Sequence, residues 1–487
     1  MDYADVAVVG AGVLGCFAAR ALTAYDLRIA VFESREDVCT GISRANTGIV
    51  YTGCDTKPGT RKAQLCAEAN RDFGALCETL GVRFSRCGSL MTAFGPRGVV
   101  RLEKKLSQGR ANGVPGLRLL TPAEVYQREP LLARGATAAL YAPGTGTVDP
   151  WELGIAAFEN ARANGAAFHF SEEIQHIERT TGGYRLETSR RTCAVRAVVN
   201  CAGLRADAVR ELVKVPTIRI FPAAGDYLVL DHDLSDLLRH VIFHEGEAGK
   251  GLTLVPTVDG AILAGPTDRE PGEDWAVSPE GLEALTALCA QVVPDLPLER
   301  VIRSFAALRP SPRHVRRENR VWTVDPRAIH DFTLLEEDGF ISLLGIKTPG
   351  LTCAHRLGEL AAEAAAHFLG NPGKNAGFDP RRSPPPRLHG MPETERALLV
   401  QRNPDYGEIV CRCRDVSLGE IKEALRQGAS TVDGVKRRTG AGMGRCQGGR
   451  CIQRVIETIA AEQGVPPALV CKDAPGSAVL TGDDGKL

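Results

Sequence analysis

The stretch DVAVVGAGVLGCFAARAL, residues 5–22, constrains this chain more than any other. An apolar run from Val6 to Val9 reads as a buried strand, and the pattern resumes after a glycine turn as a helix. Gly10, Gly12 and Gly15 fit the spacing G-x-G-x-x-G. In that pattern the first glycine makes a tight turn, the second lets a pyrophosphate approach the backbone, and the third lets the helix pack on the strand. The helix N-terminus then presents N–H groups and partial positive charge to the phosphates. A second strand, RIAVFE, ends at Glu33, 18 residues past Gly15, where a carboxylate can accept from ribose hydroxyls. These features predict a Rossmann-like α/β domain that binds a dinucleotide. A purely structural glycine turn is the plain alternative, and the glycines do not separate NAD from FAD.

The chain has 487 residues, which at roughly 100–200 per domain allows two to four domains. Its formal net charge is zero, so nothing global points to nucleic acid. The first residues, MDYADVAVVGAG, lack the basic region of a signal peptide. No apolar run approaches the ~18 residues that a membrane span needs. The expectation is a cytoplasmic protein without a membrane span. Of 15 cysteines, eleven are scattered singly, as Cys16, Cys66, Cys201 and Cys289 are, and read as reduced core residues.

Several later segments narrow the cofactor. They are GISRANTGIVYTGCDTKPGTRKAQLC (41–66), AVVNCAGLRAD (197–207), PAAGDYLVLD (222–231), LVPTVDGAILAGPT (254–267), FAALRP (305–310) and LLGIKTPGLT (343–352). In this order they resemble the D-amino-acid oxidase superfamily of FAD enzymes. Within it they are most similar to the bacterial FAD-dependent glycerol-3-phosphate dehydrogenases, with L-2-hydroxyglutarate dehydrogenase as close kin. The resemblance spans residues 1 to about 370. Ser43, Asn46 and Gly48 form a polar turn suited to the pyrophosphate and the ring edge. Ala202 and Gly203 end a buried strand where a small residue lets FAD pass close to the backbone. Gly350 and Thr352 open the helix TCAHRLGELAAEAAAHFL. The resemblance points that helix N-terminus at the flavin, where its positive end would stabilise the reduced ring. Ile174, Gly345 and Leu351 are further FAD contacts that it implies. Only one G-x-G-x-x-G opens a strand–turn–helix unit, so no second nucleotide domain is expected.

The resemblance also implies a divided fold. Residues 1–95, 151–220 and 336–370 would form the FAD-binding domain, and 96–150 and 221–335 an inserted mixed-sheet substrate domain. Arg309 in FAALRP matches the family arginine that clamps the substrate anion. An arginine suits the task, because its planar fork pairs bidentately with carboxylate or phosphate. Tyr227 in GDYLVL and Lys250 in GKGLTLVPT are further substrate-side candidates. Tyr51 stands where the family usually has a histidine near the flavin. A tyrosine, with an unperturbed pKa near ~10, is a poor base. Alanines at 223 and 224 replace a basic residue common in relatives. Both departures favour amine or amino-acid oxidation, which needs no such base. His244 and His355 are candidate replacement bases.

Residues 371–395 are rich in proline, glycine and charge, and 371–405 read as a linker. A small helical unit follows over 406–475. Ser417 and Glu420 make a capping box, Gly428 stops that helix, and a second helix runs from Cys451 to the stop at Gly464. Cys411 and Cys413 form C-x-C, and after 32 intervening residues Cys446 and Cys451 form C-x4-C. A disulfide fits poorly in a chain without a signal peptide, and zinc prefers wider pairs. Four thiolates on an iron–sulfur cluster fit better. From Tyr406 to Arg454 there are ten Lys/Arg and five Asp/Glu, an excess that can offset an anionic cluster. The unit resembles the BFD-like [2Fe–2S] domain, with all four cysteines and GVKRRTGAGMGRCQGGRC matching almost throughout.

A flavin accepts two electrons as hydride, and the cluster carries one at a time. The sequence therefore predicts an FAD-dependent dehydrogenase of the glycerol-3-phosphate dehydrogenase type. It would oxidise a small anionic substrate and pass electrons to an acceptor protein, such as a second flavoprotein subunit, in an oligomer. A 2-hydroxy acid, amino acid or secondary amine is the alternative substrate. An electron-transfer or redox-sensing subunit with an inactive flavin site is the alternative of another class.

Overall fold

The computed structural model describes residues 2–245, 251–271, 276–318 and 321–480. Lys250 lies outside them. The first strand, Asp2–Val9, sits inside an eight-stranded sheet, parallel to Ile29–Phe32 on one side and Thr192–Asn200 on the other. Strands buried on both faces read as continuous apolar runs, and Val6, Ala7 and Val8 have no exposed surface. The first helix, Val13–Leu22, packs against the helices Pro150–Ala163 and Ala354–Phe368. Its small residues Ala18 and Ala19 let the last of these approach so closely that a Cβ on Gly358 would strike the Phe17–Ala18 backbone. The strands Thr333–Glu337 and Phe340–Leu344 complete this layer.

A second, nine-stranded mixed sheet takes its strands from Ser89–Ala142 and from Ile218–Ala328. It begins ahead of the boundary expected at residue 96. The strand Ser89–Phe94 pairs in parallel with Val241–His244 and antiparallel with Ala136–Ala142. These pairings join segments far apart in sequence, which local pattern does not register. The centre of the sheet is a long ladder between Ile218–Leu230 and Val301–Glu318, with Ala223 opposite Arg309, Tyr227 opposite Phe305 and Val229 opposite Arg303.

Residues 371–392 connect the last flavin-side helix to the C-terminal unit as a bound strap, not a free linker. Asn375 and Gly373 bond the turn after the first helix. Asn160 donates to the Asp379 and Arg381 carbonyls, and Arg382 pairs with Glu159 at 2.5 Å. The helix Glu393–Arg402 follows. The C-terminal unit opens on a short ribbon, Ile409–Cys411 with Val416–Ser417. The Ser417–Glu420 capping box is formed, and Gly464 ends the helix Ile452–Gln463 in the left-handed conformation. No helix among the described residues is long and apolar enough to cross a membrane.

Candidate functional site

The glycine turn has the geometry that a pyrophosphate needs. Gly10 has φ +95°, and a Cβ there would lie 2.8 Å from the Cys201 carbonyl oxygen. That approach brings the Ala202–Gly203 turn against the loop. A Cβ on Gly15 would overlap the Gly10 carbonyl oxygen, so helix and strand touch there. Gly12 is different, because its Cβ would meet only the Ser43 hydroxyl, at 3.2 Å. The helix it begins has no side-chain cap at Gly12 and no acid in its first turn. An anion at this end would meet uncompensated positive charge. Glu33 accepts from the Ala11 N–H at 2.7 Å and from the Arg35 N–H at 2.9 Å, which places its carboxylate on the rim. Ile174 opens a strand two residues after Glu172, whose N–H bonds the Glu33 carbonyl. These residues fit an adenine dinucleotide.

Other expected FAD contacts carry structural duties. Ser43 accepts from the Val13 N–H at 3.0 Å. The Asn46 amide donates to the Ser43 carbonyl and accepts from the Gly48 N–H, closing the turn on itself. Gly345 lies against the Pro312 ring, joining the two sheets. The helix expected at Gly350–Thr352 starts at Ala354. Gly350, Leu351 and Thr352 belong to the preceding turn. Thr352 is fully buried, accepts from the Tyr51 N–H at 3.0 Å and bonds the Ile49 carbonyl. Its hydroxyl is thus occupied by the protein.

The wall facing this region comes from the nine-stranded sheet. Tyr51 and Ile49 pack with Phe243, Phe305, Val229, Leu263 and Val255. Tyr227 stacks on Phe305 with centroids 4.9 Å apart and planes 12° apart. Burial pushes the Tyr227 hydroxyl up to about 12 and raises Tyr51 further, with Tyr227 adding to the effect. Both stay protonated near neutrality, so neither is a base. Arg309 donates to the Ala224 carbonyl at 3.0 Å and pairs with Asp268 at 2.7 Å. Lys347, which sequence reasoning missed, lies close enough to feel Arg309. Its pKa is lowered by burial and then by the Arg309 charge, with Asp268 opposing. Lys62 is lowered by burial and by Lys347. The signal for Lys347 was in plain view: a lysine inside the glycine-bounded turn LLGIKTPGLT.

The two histidines are not replacement bases. Successive side chains on a strand face opposite ways. Phe243 faces Tyr51, so His244 faces the other side, edge-on to Phe94 and 3.4 Å from the Thr92 hydroxyl. His355 is buried between Phe17 and Phe73, beside Asp72.

The four C-terminal cysteines come together. Cys413 and Cys446 lie 3.6 Å apart, close to the ~3.8 Å that two thiolates span on one tetrahedral iron at about 2.3 Å each. Cys411 and Cys451 are buried, while Cys413 is exposed and Cys446 half-buried. The Cys451 thiol brings Cys411 down to about 6 against the effect of burial, helped by the N–H groups of Gly442, Arg414 and Cys413. At Cys446 burial acts upward, but the Arg450 and Gly448 N–H groups and the Cys413 thiol outweigh it and lower the pKa. In each pair one thiol is lowered and its partner, Cys451 or Cys413, is raised, and thiols held in two pairs beside backbone donors suit a two-iron cluster.

Much of the positive charge expected to balance the cluster docks the unit instead. Arg437 and Arg438 bond Asp37 at 2.9 and 2.6 Å, with all three nearly inaccessible to solvent. Burial acts to raise the Asp37 pKa, and Arg438 with Arg437 more than offsets it, so the carboxyl sits below its ordinary range. On the substrate sheet Arg445 pairs with Asp231 and Asp233, and Arg414 with Asp259. His232 bonds the Met443 carbonyl at 3.0 Å. The cysteine-bearing loop therefore rests against the nine-stranded sheet.

The chain matches the family described as FAD dependent oxidoreductase over residues 5–364, and the BFD-like [2Fe-2S] binding domain over residues 409–461. It is 38% identical to a glycerol 3-phosphate dehydrogenase of Caloramator mitchellensis, with 98% of each chain covered. It is 30% identical to human mitochondrial L-2-hydroxyglutarate dehydrogenase over 54% of this chain and 60% of that one. Among solved structures it resembles the L-alpha-glycerophosphate oxidase of Mycoplasma pneumoniae with FAD bound, with a TM-score of 0.71 and 25% identity. That match covers 79% of this chain and all of the other.

Proposed function

Because the chain belongs to the FAD-dependent oxidoreductase family and carries a BFD-like [2Fe–2S] domain, we propose that it oxidises glycerol 3-phosphate and delivers the electrons, through the cluster, to a one-electron acceptor protein. The observation that carries the substrate is the placing of Lys347, whose Nζ lies 3.5 Å from the Ser311 hydroxyl, two residues along the strand from Arg309, where each cation acts on the other. A phosphate monoester is dianionic near neutrality, and two adjacent cations match it better than they match the single carboxylate of an amino acid. Arg309 would exchange Asp268 for the phosphate, and Lys347 would add a point charge. Bound FAD supplies the hydride acceptor. Gly10, Gly12, Gly15 and Glu33 would hold its adenosine and pyrophosphate, with Ser43, Asn46, Gly48, Ile174, Ala202, Gly203, Gly345, Gly350, Leu351 and Thr352 shaping the rest of its cradle. Tyr51 and Tyr227 act as protonated donors and as an apolar wall that keeps water from the reacting carbon. Cys411, Cys413, Cys446 and Cys451 would ligate the cluster.

An anaerobic panel tests the substrate. Glycerol 3-phosphate should bleach the flavin, while glycine, proline and L-2-hydroxyglutarate should not. Rapid bleaching by one of the other three, with none by glycerol 3-phosphate, would replace this reading.

A further inference from the structure

One strand touches the anion clamp, the aromatic wall and the cluster loop. On Val301–Glu318 the side chains of residues 303, 305, 307 and 309 share a face. Arg309 is the proposed clamp. Phe305 stacks on Tyr227 and packs with Ile49 and Tyr51. Arg303, about 7 Å further along at ~3.4 Å per residue, reaches the cluster loop, where its Nη1 donates to Gln447 Oε1 at 3.4 Å. The turn Ile42–Arg44, part of the expected flavin cradle, also lies against this strand.

Gln447 follows Cys446 and is one of few non-glycine residues with left-handed φ, at 49°. Such a conformation persists where the surroundings impose it. Here the Gln447 amide donates to the Met443 and Gly444 carbonyls at 3.3 and 3.0 Å. The same side chain thus fastens the cysteine loop and receives Arg303. Arg303 has no acidic partner among the described residues, unlike Arg445 and Arg414 on the same seam. Its charge is left facing the cluster loop.

Resting on the flavin and cluster reading above, we infer that the Arg303–Gln447 contact is the junction for electron transfer between the two cofactor sites, with Arg303 as its positioning residue. Two electrons enter with the substrate hydride and cross one at a time. A cluster held by the four cysteines would take each electron singly, one iron going from ferric to ferrous, and give it up to the acceptor protein, with no bond made or broken at the junction. Arg303 is exposed, so its charge, partly screened by solvent, would favour the reduced, more anionic cluster modestly.

The test uses the full-length holoprotein, with the flavin photoreduced anaerobically in the presence of EDTA, so that no substrate is needed. Cluster reduction is followed by absorbance and electron paramagnetic resonance (EPR). Arg303→Met should slow flavin-to-cluster transfer at least ten-fold and shift the cluster midpoint potential to more negative values, with flavin and iron contents unchanged. Arg303→Lys should keep the potential and recover most of the rate. Gln447→Gly, which removes the amide and relieves the left-handed backbone, should slow transfer without lowering the melting temperature. A wild-type rate in Arg303→Met overturns the inference. A protein that relays photochemical electrons but is not bleached by glycerol 3-phosphate removes the substrate reading and leaves the junction standing. A protein without flavin or iron refutes both.

Discussion

The fold brings Lys347 to Ser311, two residues from Arg309, so two cations stand near each other at some electrostatic cost. Lys347 is lowered by burial and by its neighbour, which means that binding an anion relieves a strain already present. Lys347→Met should therefore raise KM for glycerol 3-phosphate about 10-fold or more, as loss of a charge-assisted bond worth roughly 1.5–3 kcal/mol implies, while FAD content stays normal. Steady-state kinetics alongside flavin absorbance checks this. The sign with pH follows. The cation is present below the Lys347 pKa and lost above it, and that pKa lies below the ordinary lysine value. KM should rise as pH climbs through the alkaline range, sooner than a surface lysine would dictate, and Lys347→Arg should abolish that rise. Arg309→Lys keeps charge but loses the fork, so KM should rise there too; an unchanged KM would remove Arg309 from the site. The functional residues legible in the sequence were those with a local signature. Gly10, Gly12 and Gly15 were read from spacing, and the structure gives each a distinct spatial reason. The orientations of Thr352 and His244 were not legible, because direction is invisible in a sequence. Thr352 turns inward to the Tyr51 backbone, and His244 takes the far face of its strand.

Among elements, the C-terminal unit is decided by its seam. Asp37 and Arg438 are separated by 401 residues, so nothing local announced their pairing. The run KRR looked like charge compensation for a cluster, and its two arginines instead enter a buried ion network. Removing one partner of such a network leaves an uncompensated buried charge and costs about 3–5 kcal/mol. Asp37→Asn should lower the melting temperature and speed hydrogen exchange across the helix Val432–Thr439, which carries both arginines. The pH sign is that of a carboxylate with depressed pKa. Its contribution is present above the ordinary aspartate range near ~3.9 and is lost as pH falls through the lower folded value. Undocking should therefore appear only at strongly acid pH and be absent near neutrality, as exchange measured across that range would report. The strap 371–392 shows the same limit of local reading. Its proline and glycine content marks a connection, while Arg382–Glu159 and the Asn160 bonds make it a fastened one.

Across the whole molecule, the proposed flavin cradle and the cysteine loop both meet the strand Val301–Glu318. The flavin side was legible as an ordered series of motifs, and the cluster as four cysteines with a distinctive spacing. Their mutual placement was not, because it rests on contacts such as Arg445–Asp231 and Arg303–Gln447 that join separate modules. The placement implies that oxidation and delivery are separable. Cys446→Ser exchanges a soft thiolate for a hard, poorly ionised hydroxyl, so the cluster should be lost. Substrate should still bleach the flavin in that variant, and reduction of the acceptor protein should stop. The most direct measurement is made on the unmodified protein. Glycerol 3-phosphate is added without oxygen, and the flavin absorbance and the cluster EPR signal are followed together. Flavin bleaching followed by the signal of a reduced [2Fe–2S] cluster is the predicted result. A flavin that bleaches while the cluster stays oxidised and EPR-silent would contradict the account.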